Sequence, residues 1–252
     1  MTTTYFTSPE GRRLAYRASA PTHSPLTYVW LSGFKSDMSG TKVTELEAWA
    51  TEAGHGFLAF DYSGHGLSDG AFEDGTISAW REDALAAIDT HSTGPIVLVG
   101  SSMGGWMALL AALAHPDRVA GLVLIAPAPD FTEKLMWPEF SAEAQSEIME
   151  QGFTQRPSDY DEPYTITRAL IEDGQTWQIL DAPIKLDIPV RILQGMQDAD
   201  VPWKHAERLV DTITSEDLIF TLIKDGDHRL SREQDIARLK TTCAEIATAT
   251  RP

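Results

Sequence analysis

The chain has 252 residues, 42% hydrophobic and 23% charged, the balance of a soluble globular protein with enough chain to bury a complete sheet between helices. Its 37 acidic and 20 basic side chains give a formal net charge of −17, a field that repels phosphate backbones and anionic lipid surfaces, so nucleic acid is not an expected partner. Apolar runs such as 95–99 and 121–126 are too short to span a bilayer, the polar opening 1–13 lacks a secretory core, and the single cysteine, Cys243, rules out an intrachain disulfide; a cytoplasmic location and a buried structural thiol are the expectations.

In chain order, two short alternating stretches, 4–7 and 12–17, flank Pro9-Glu10-Gly11 and predict an N-terminal hairpin. A strand over 26–31, a helix over 42–53, a strand over 57–62 and a helix over 77–91 follow. A strand over 95–100, a helix over 103–115 and a strand over 119–125 come next. The strands are short and apolar on both faces, as strands between two helix layers must be. The alternation therefore predicts the α/β class with a mostly parallel sheet and right-handed crossovers. In such sheets the loops at the carboxyl ends of the strands carry the site.

Residues 127–188 interrupt the alternation. They are too long for a bare connection and too rich in Phe, Trp, Tyr, Met and Ile to be solvated. A mainly helical cap is the expectation, inserted into a core made of 1–126 and 189–252. After it come a strand over 190–194, a helix over 203–213, a strand over 218–223 and a helix over 232–248.

The chemistry begins at Gly100-Ser101-Ser102-Met103-Gly104. By composition, a G-x-S-x-G arises by chance in about one chain in ten of this length, so the motif alone is weak. Its place between a predicted strand and a predicted helix gives it weight, because a nucleophilic serine needs a sharp turn that lifts its oxygen clear of the sheet. The alternative is a Gly-rich helix start with a capping serine. Ser101 is excluded as the elbow serine, since its flanks would be Val99 and Met103.

A serine needs a base and a group to orient that base. The loop after the strand 190–194 offers Asp198 and Asp200; Asp198 lies nearer the strand end and is preferred, while Asp200 remains open as the acid or as a helix cap. His228 follows the last strand in Lys224-Asp225-Gly226-Asp227-His228. The order Ser102, Asp198, His228 is one of the three common triad orders. For the oxyanion, the Met103 amide stands at a helix N-terminus, where the dipole also favours negative charge. Phe34, in the loop after the strand 26–31, is the expected second donor. His65 sits in a turn, Ser63-Gly64-His65-Gly66, and is expected to bond locally. No His-x-x-x-His or similar ligand spacing occurs, so neither a metal nor another cofactor is expected.

These residues make the chain resemble the α/β-hydrolase superfamily, in which His-Gly often stands where this chain has Ser32-Gly33, and Asp61-Tyr62-Ser63-Gly64-His65-Gly66-Leu67-Ser68 matches the family's turn after the next strand. Phe60 to Gly64, Gly100 to Trp106, Gly195 to Asp198 with Val201-Pro202-Trp203, and Asp227-His228-Arg229 resemble more closely the subgroup of palmitoyl-protein thioesterases and acyl-glucuronide esterases, over roughly 28–240. The resemblance implies an α/β-hydrolase fold with a helical cap and cleavage of an ester or thioester bearing a sizeable apolar acyl group. It implies a small or acylated substrate as partner and no stable membrane insertion. Trp137 and Trp203 are expected to meet the acyl group, although Trp203 and Trp106 fit a packing role equally. Arg156 and Arg168 are expected to meet a carboxylate. A lysophospholipase or monoacylglycerol lipase would use the same triad, and a binding protein on a catalytically inert copy of the fold is the rival from another class.

Overall fold

The computed structural model describes residues 2–156 and 163–250. The strands are β1 (Thr4–Thr7), β2 (Arg13–Ser19), β3 (Thr27–Leu31), β4 (Gly56–Phe60), β5 (Ile96–Ser101), β6 (Val119–Ile125), β7 (Phe153–Arg156), β8 (Tyr164–Thr167), β9 (Val190–Gly195) and β10 (Leu218–Ile223). The helices are α1 (Thr41–Glu52), α2 (Ile77–His91), α3 (Met103–Ala114), α4 (Ala142–Gln151), α5 (Arg168–Thr176), α6 (Trp203–Thr212) and α7 (Glu233–Ala249). Eight strands form one sheet in the order β1-β2-β4-β3-β5-β6-β9-β10. β2 pairs antiparallel with β1 and β4, and the other pairs are parallel.

The period of two along the central strands divides their side chains between two apolar layers. Val29, Leu31, Leu58, Phe60, Leu98 and Leu122 face one layer, with Trp80 of α2 and Trp106 of α3. Tyr28, Trp30, Phe57, Val97, Val99 and Val123 face the other, with Leu46 of α1 and Leu239 of α7. Every residue of β3, β4 and β5 is buried, which explains why these strands read as unbroken apolar runs. Cys243 is buried and unpaired, as expected. No helix among the described residues is long and apolar enough to cross a membrane.

The strand order positions the site. β3 lies between β4 and β5, so the chain reverses its direction of travel across the sheet at this point. Loops leaving β3 and β5 in parallel then emerge side by side, as at the switch points of open α/β sheets. β9 and β10 are neighbours with Ile223 opposite Gly195, and this brings their two exit loops together in the same way.

The 127–188 segment is not all helix. A wide turn over Thr132–Met136, a tight turn over Trp137–Glu139 and α4 lead into the antiparallel β7–β8 hairpin, followed by α5. The hairpin departs from the expected helical content for a local reason. Gly152 ends α4 at φ 92°, and Phe153-Thr154 and Tyr164-Thr165-Ile166-Thr167 are β-branched or aromatic, with Thr154 and Ile166 buried at 5% and 0% exposed.

Candidate active site

Ser102 is the hinge between β5 and α3, at φ 56° and ψ −120°. A non-glycine residue there carries strain on the order of 1–3 kcal/mol, tolerated only where the surroundings enforce it. They do so through the backbone: the Ser102 amide donates to the Ile125 carbonyl at 2.9 Å, and the Ser102 carbonyl accepts from the amides of Gly105 at 2.8 Å and Ala128 at 3.1 Å. α3 then passes so close to the end of β3 that a β-carbon at Gly104 would lie 2.0 Å from the Leu31 carbonyl oxygen. Ser101 stays in β5 and is buried.

Asp198 and His228 meet. The Asp198 side chain is wholly buried; its Oδ2 accepts from His228 Nδ1 at 2.8 Å and from Gln194 Nε2 at 3.0 Å, while Oδ1 accepts from the amides of Val201 at 2.8 Å and Asp200 at 3.0 Å. These four donors fix the carboxylate's orientation. Because Nδ1 of His228 donates, its Nε2 is the ring nitrogen left to accept a proton. Asp200 is exposed and faces the cavity, contributing only its amide to this network. The loops carrying the pair are stitched together by the Gln197 amide donating to the Gly226 carbonyl at 2.8 Å. Behind His228, Lys42 Nζ donates to the Arg229 carbonyl. Burial pulls that ammonium down to about 8, against the opposing pull of Asp227 and Asp235.

The loop after β3 comes up against the serine at Gly33. A β-carbon there would lie 3.2 Å from the Ser101 carbonyl oxygen and 3.3 Å from Ser102 Cβ, so glycine allows the closest approach. Ser32, standing where the resemblance has histidine, is buried and accepts from the Trp30 indole at 3.0 Å. Phe34 follows, its ring edge-on to Phe72, Phe131 and Tyr164 at 5.0, 5.5 and 6.3 Å. The Met103 amide is at the first position of α3, where the helix has no acceptor for it one turn back.

A cavity of about 460 Å³ joins Ser102, Met103, Phe34 and His228. Its other wall comes from the 127–188 segment: Phe131, Leu135 and Met136 from the turns after β6, Glu139, and Arg156, Tyr164 and Ile166 from the hairpin. Arg156 thus lies where a substrate contact was expected, but its guanidinium is paired with Glu139 at 2.9 Å. Three other expected contacts lie outside the lining. Trp137 turns edge-on to Phe140 at 6.2 Å and packs on the core. Trp203, at the start of α6, has the Lys204 ammonium 3.9 Å over its ring. Arg168 opens α5 and reaches Glu172 at 2.6 Å, one turn along. Trp106 is fully buried behind Phe131, ring centroids 5.7 Å apart, in a packing role.

The lining residues that sequence reading missed carry no spacing signal. Their apolar character was visible, but which face meets the cavity depends on a hairpin and an irregular turn. Among the described residues, one group of possible metal ligands occurs, Asp198, Asp200 and His228, with ligand atoms within 4.8 Å of one another. The Nδ1 of His228 is already committed as a donor to Asp198, which accounts for their closeness.

Parallel strands with a strained serine at a strand–helix turn define a hydrolase class, and residues 24–240 match the model of the Alpha/beta hydrolase family. The chain belongs to that family and is a hydrolase. It is 36% identical over 220 residues to the human palmitoyl-protein thioesterase ABHD10, mitochondrial, covering 86% of this chain and 72% of that protein. The solved structure of mouse alpha/beta hydrolase domain-containing protein 10 superposes with a TM-score of 0.89 at 34% identity, covering 98% of both chains. A crystal structure from Agrobacterium vitis S4, described as that of a hydrolase, superposes with a TM-score of 0.92 at 43% identity, again over 98% of both.

Proposed function

We propose that the chain is a serine hydrolase of carboxylic esters and thioesters, with Ser102 as nucleophile, His228 as base and Asp198 as the group that orients the base. One observation carries the reading: a serine held at φ 56° opens onto the same cavity as a histidine whose Nδ1 is bonded to a buried carboxylate. Asp198 fixes the tautomer, leaving His228 Nε2 to take the Ser102 proton as Oγ attacks the acyl carbon. The amides of Phe34 and Met103 receive the oxyanion, an arrangement in which one lost donor typically costs about 10²–10³ in rate. His228 returns the proton to the departing alcohol or thiol, leaving an ester on Ser102, and water activated by the same ring releases the acid.

The 127–188 segment acts as the cap. The acyl group lies between the sheet side (Phe34, Met103) and the cap side (Leu135, Met136, Ile166), and Arg156 stands at the cap's polar end. The thioester part of the reading is supported by the name of the ABHD10 relatives. A cytoplasmic location is compatible with the lone buried cysteine, and fractionation of tagged protein tests it against the mitochondrial location in the ABHD10 relatives' names.

A fluorophosphonate probe should label the wild-type chain, and Ser102→Ala should abolish both labelling and turnover. A panel of p-nitrophenyl esters of rising chain length, S-acyl thioesters and an acyl glucuronide should include substrates. A wild-type chain that stays unlabelled and turns over no member of the panel would reject the proposal.

A further inference from the structure

The loop that carries the Phe34 amide has one bond of its own, the Ser36 amide donating to the Gly33 carbonyl at 3.1 Å, and it turns through a strained residue. Lys35, the residue after Phe34, sits at φ 56°, a region that a β-carbon disfavours. Something must hold the peptide planes on either side of the Phe34 α-carbon, because an oxyanion donor works only when it is already aimed. The brace comes from the turn after β4. The Lys35 amide donates to His65 Nε2 at 3.2 Å, and His65 Nδ1 lies 3.2 Å from the Ser63 carbonyl oxygen. A carbonyl only accepts and an amide only donates, so the ring is the neutral Nδ1–H tautomer with its Nε2 lone pair turned to the loop.

We infer that His65 is a positioning residue of the hydrolase site, holding the loop of the Phe34 donor through its Nε2 lone pair. The inference rests on the proposed serine-hydrolase reading.

The ring is itself over-determined. It is 4% exposed and lies edge-on to Tyr62, Phe72 and Trp80, with centroids 5.8, 5.3 and 5.2 Å away. The Ser63 carbonyl, which accepts from Nδ1–H, also accepts from the Trp80 indole at 3.2 Å. The Ser63 amide and hydroxyl both donate to Asp83 Oδ2, at 2.9 and 2.6 Å. Asp83 is closed on its other oxygen by Arg12 Nε at 2.6 Å. A polar relay therefore runs from the N-terminal hairpin through α2 to the loop of the proposed oxyanion donor. Burial pulls the His65 ring down to about 4, so near neutral pH the accepting lone pair is free of a proton. A second strut, the Met38 amide donating to Asp61 Oδ1 at 2.7 Å, holds the far end of the same loop, and at the Lys35 end His65 adds the side-chain acceptor for the Lys35 amide.

Two variants and one measurement on the wild-type protein test this. His65→Phe keeps a ring among the three aromatics and deletes the acceptor. Because a misplacement of about 1 Å at a reacting centre can cost ~10²-fold, kcat for a short p-nitrophenyl ester should fall about 10- to 100-fold, with KM changing less than about threefold. His65→Gln places an amide oxygen near the lost Nε2 and should recover most of that kcat. A structural role alone would lower stability without this split and without rescue by glutamine. Long-range ¹H–¹⁵N NMR of the wild-type ring should report the Nδ1–H tautomer, whether or not the variants fold. The inference is overturned by an Nε2–H tautomer, by wild-type kcat in His65→Phe, or by equal kcat losses in both variants. Wild-type turnover that Ser102→Ala abolishes while His65→Phe leaves it intact would reject the role of His65 alone and spare the hydrolase reading.

Discussion

The two sides of the cavity are built by different means. On the sheet side, Ser102, Met103 and Gly33 sit where backbones touch: the Ser102 turn is tied at both ends by main-chain hydrogen bonds, and Gly104 lies against Leu31 with no room for a methyl group. On the other side, the 127–188 segment buries Ile148, Ile166, Leu170 and Ile171 in the core, and carboxylates near its ends add polar ties. Buried Asp130 accepts from the amides of Ile179 and Leu180 at 2.9 and 3.0 Å, which joins the segment's two ends to each other, and Asp173 of α5 accepts from both the amide and the hydroxyl of Ser78 in α2. Between these ties, the Arg156–Glu139 pair that borders the cavity joins side chains 40% and 58% exposed. Such a pair is worth no more than about 1 kcal/mol. Under the proposed mechanism this is a division of labour: backbone contacts fix Ser102 and Met103 on the sheet side, and the other side varies to suit the acyl group.

The largest effect should come from the sheet side. Asp198→Asn leaves the shape but allows the wrong tautomer of His228, and kcat should fall about 10⁴-fold. A fall of less than tenfold would move the orienting role to Asp200. Next, Gly104→Ala forces a β-carbon into the Leu31 carbonyl and should cost about 3 kcal/mol or more. For a chain of this size that lowers Tm by roughly 6–12 °C, and an unchanged melting curve would show that the elbow is looser than its contacts imply.

Acid should weaken the fold through His65. His65 has an ordinary value of 6.5 that burial lowers to about 4 in the fold, with Lys35 reinforcing and Asp37 opposing. As pH falls, the unfolded chain takes up this proton first, so stability is full above about 6.5 and is lost on the way down to about 4. The gap corresponds to at most about 3 kcal/mol. Denaturant melts at pH 7, 5.5 and 4.5 should therefore lose stability more steeply for wild type than for His65→Gln; parallel slopes would contradict it. The smallest effect belongs to the other side of the cavity. Glu139→Gln should change stability by less than about 1 kcal/mol while shifting relative kcat/KM across ester chain lengths, and a large loss on every ester would erase the contrast between the two sides.

Much of the core was legible because its signals are local. The helix expected over 77–91 forms over Ile77–His91, and the strand expected over 119–125 forms over Val119–Ile125. Gly100-Ser101-Ser102-Met103-Gly104 marks its own turn, because its glycines let strand and helix meet: a β-carbon at Gly100 would lie 2.2 Å from the Gly104 carbonyl oxygen. The β7–β8 hairpin was missed because two four-residue strands give too short a pattern to outweigh a helical context.

What the sequence determined by itself was the succession of strands and helices outside 127–188, the place of the serine turn and the residue types available for chemistry. Each of these follows from side-chain periodicity and from backbone conformations that only a few residues tolerate. Tertiary structure joined the preferred Asp198 to His228, left Trp137, Trp203 and Arg168 outside the cavity lining, and brought the His65 turn to the loop beside Phe34. Those outcomes depend on which strands become neighbours and in what register, and pairings between distant segments leave no periodic trace along the chain.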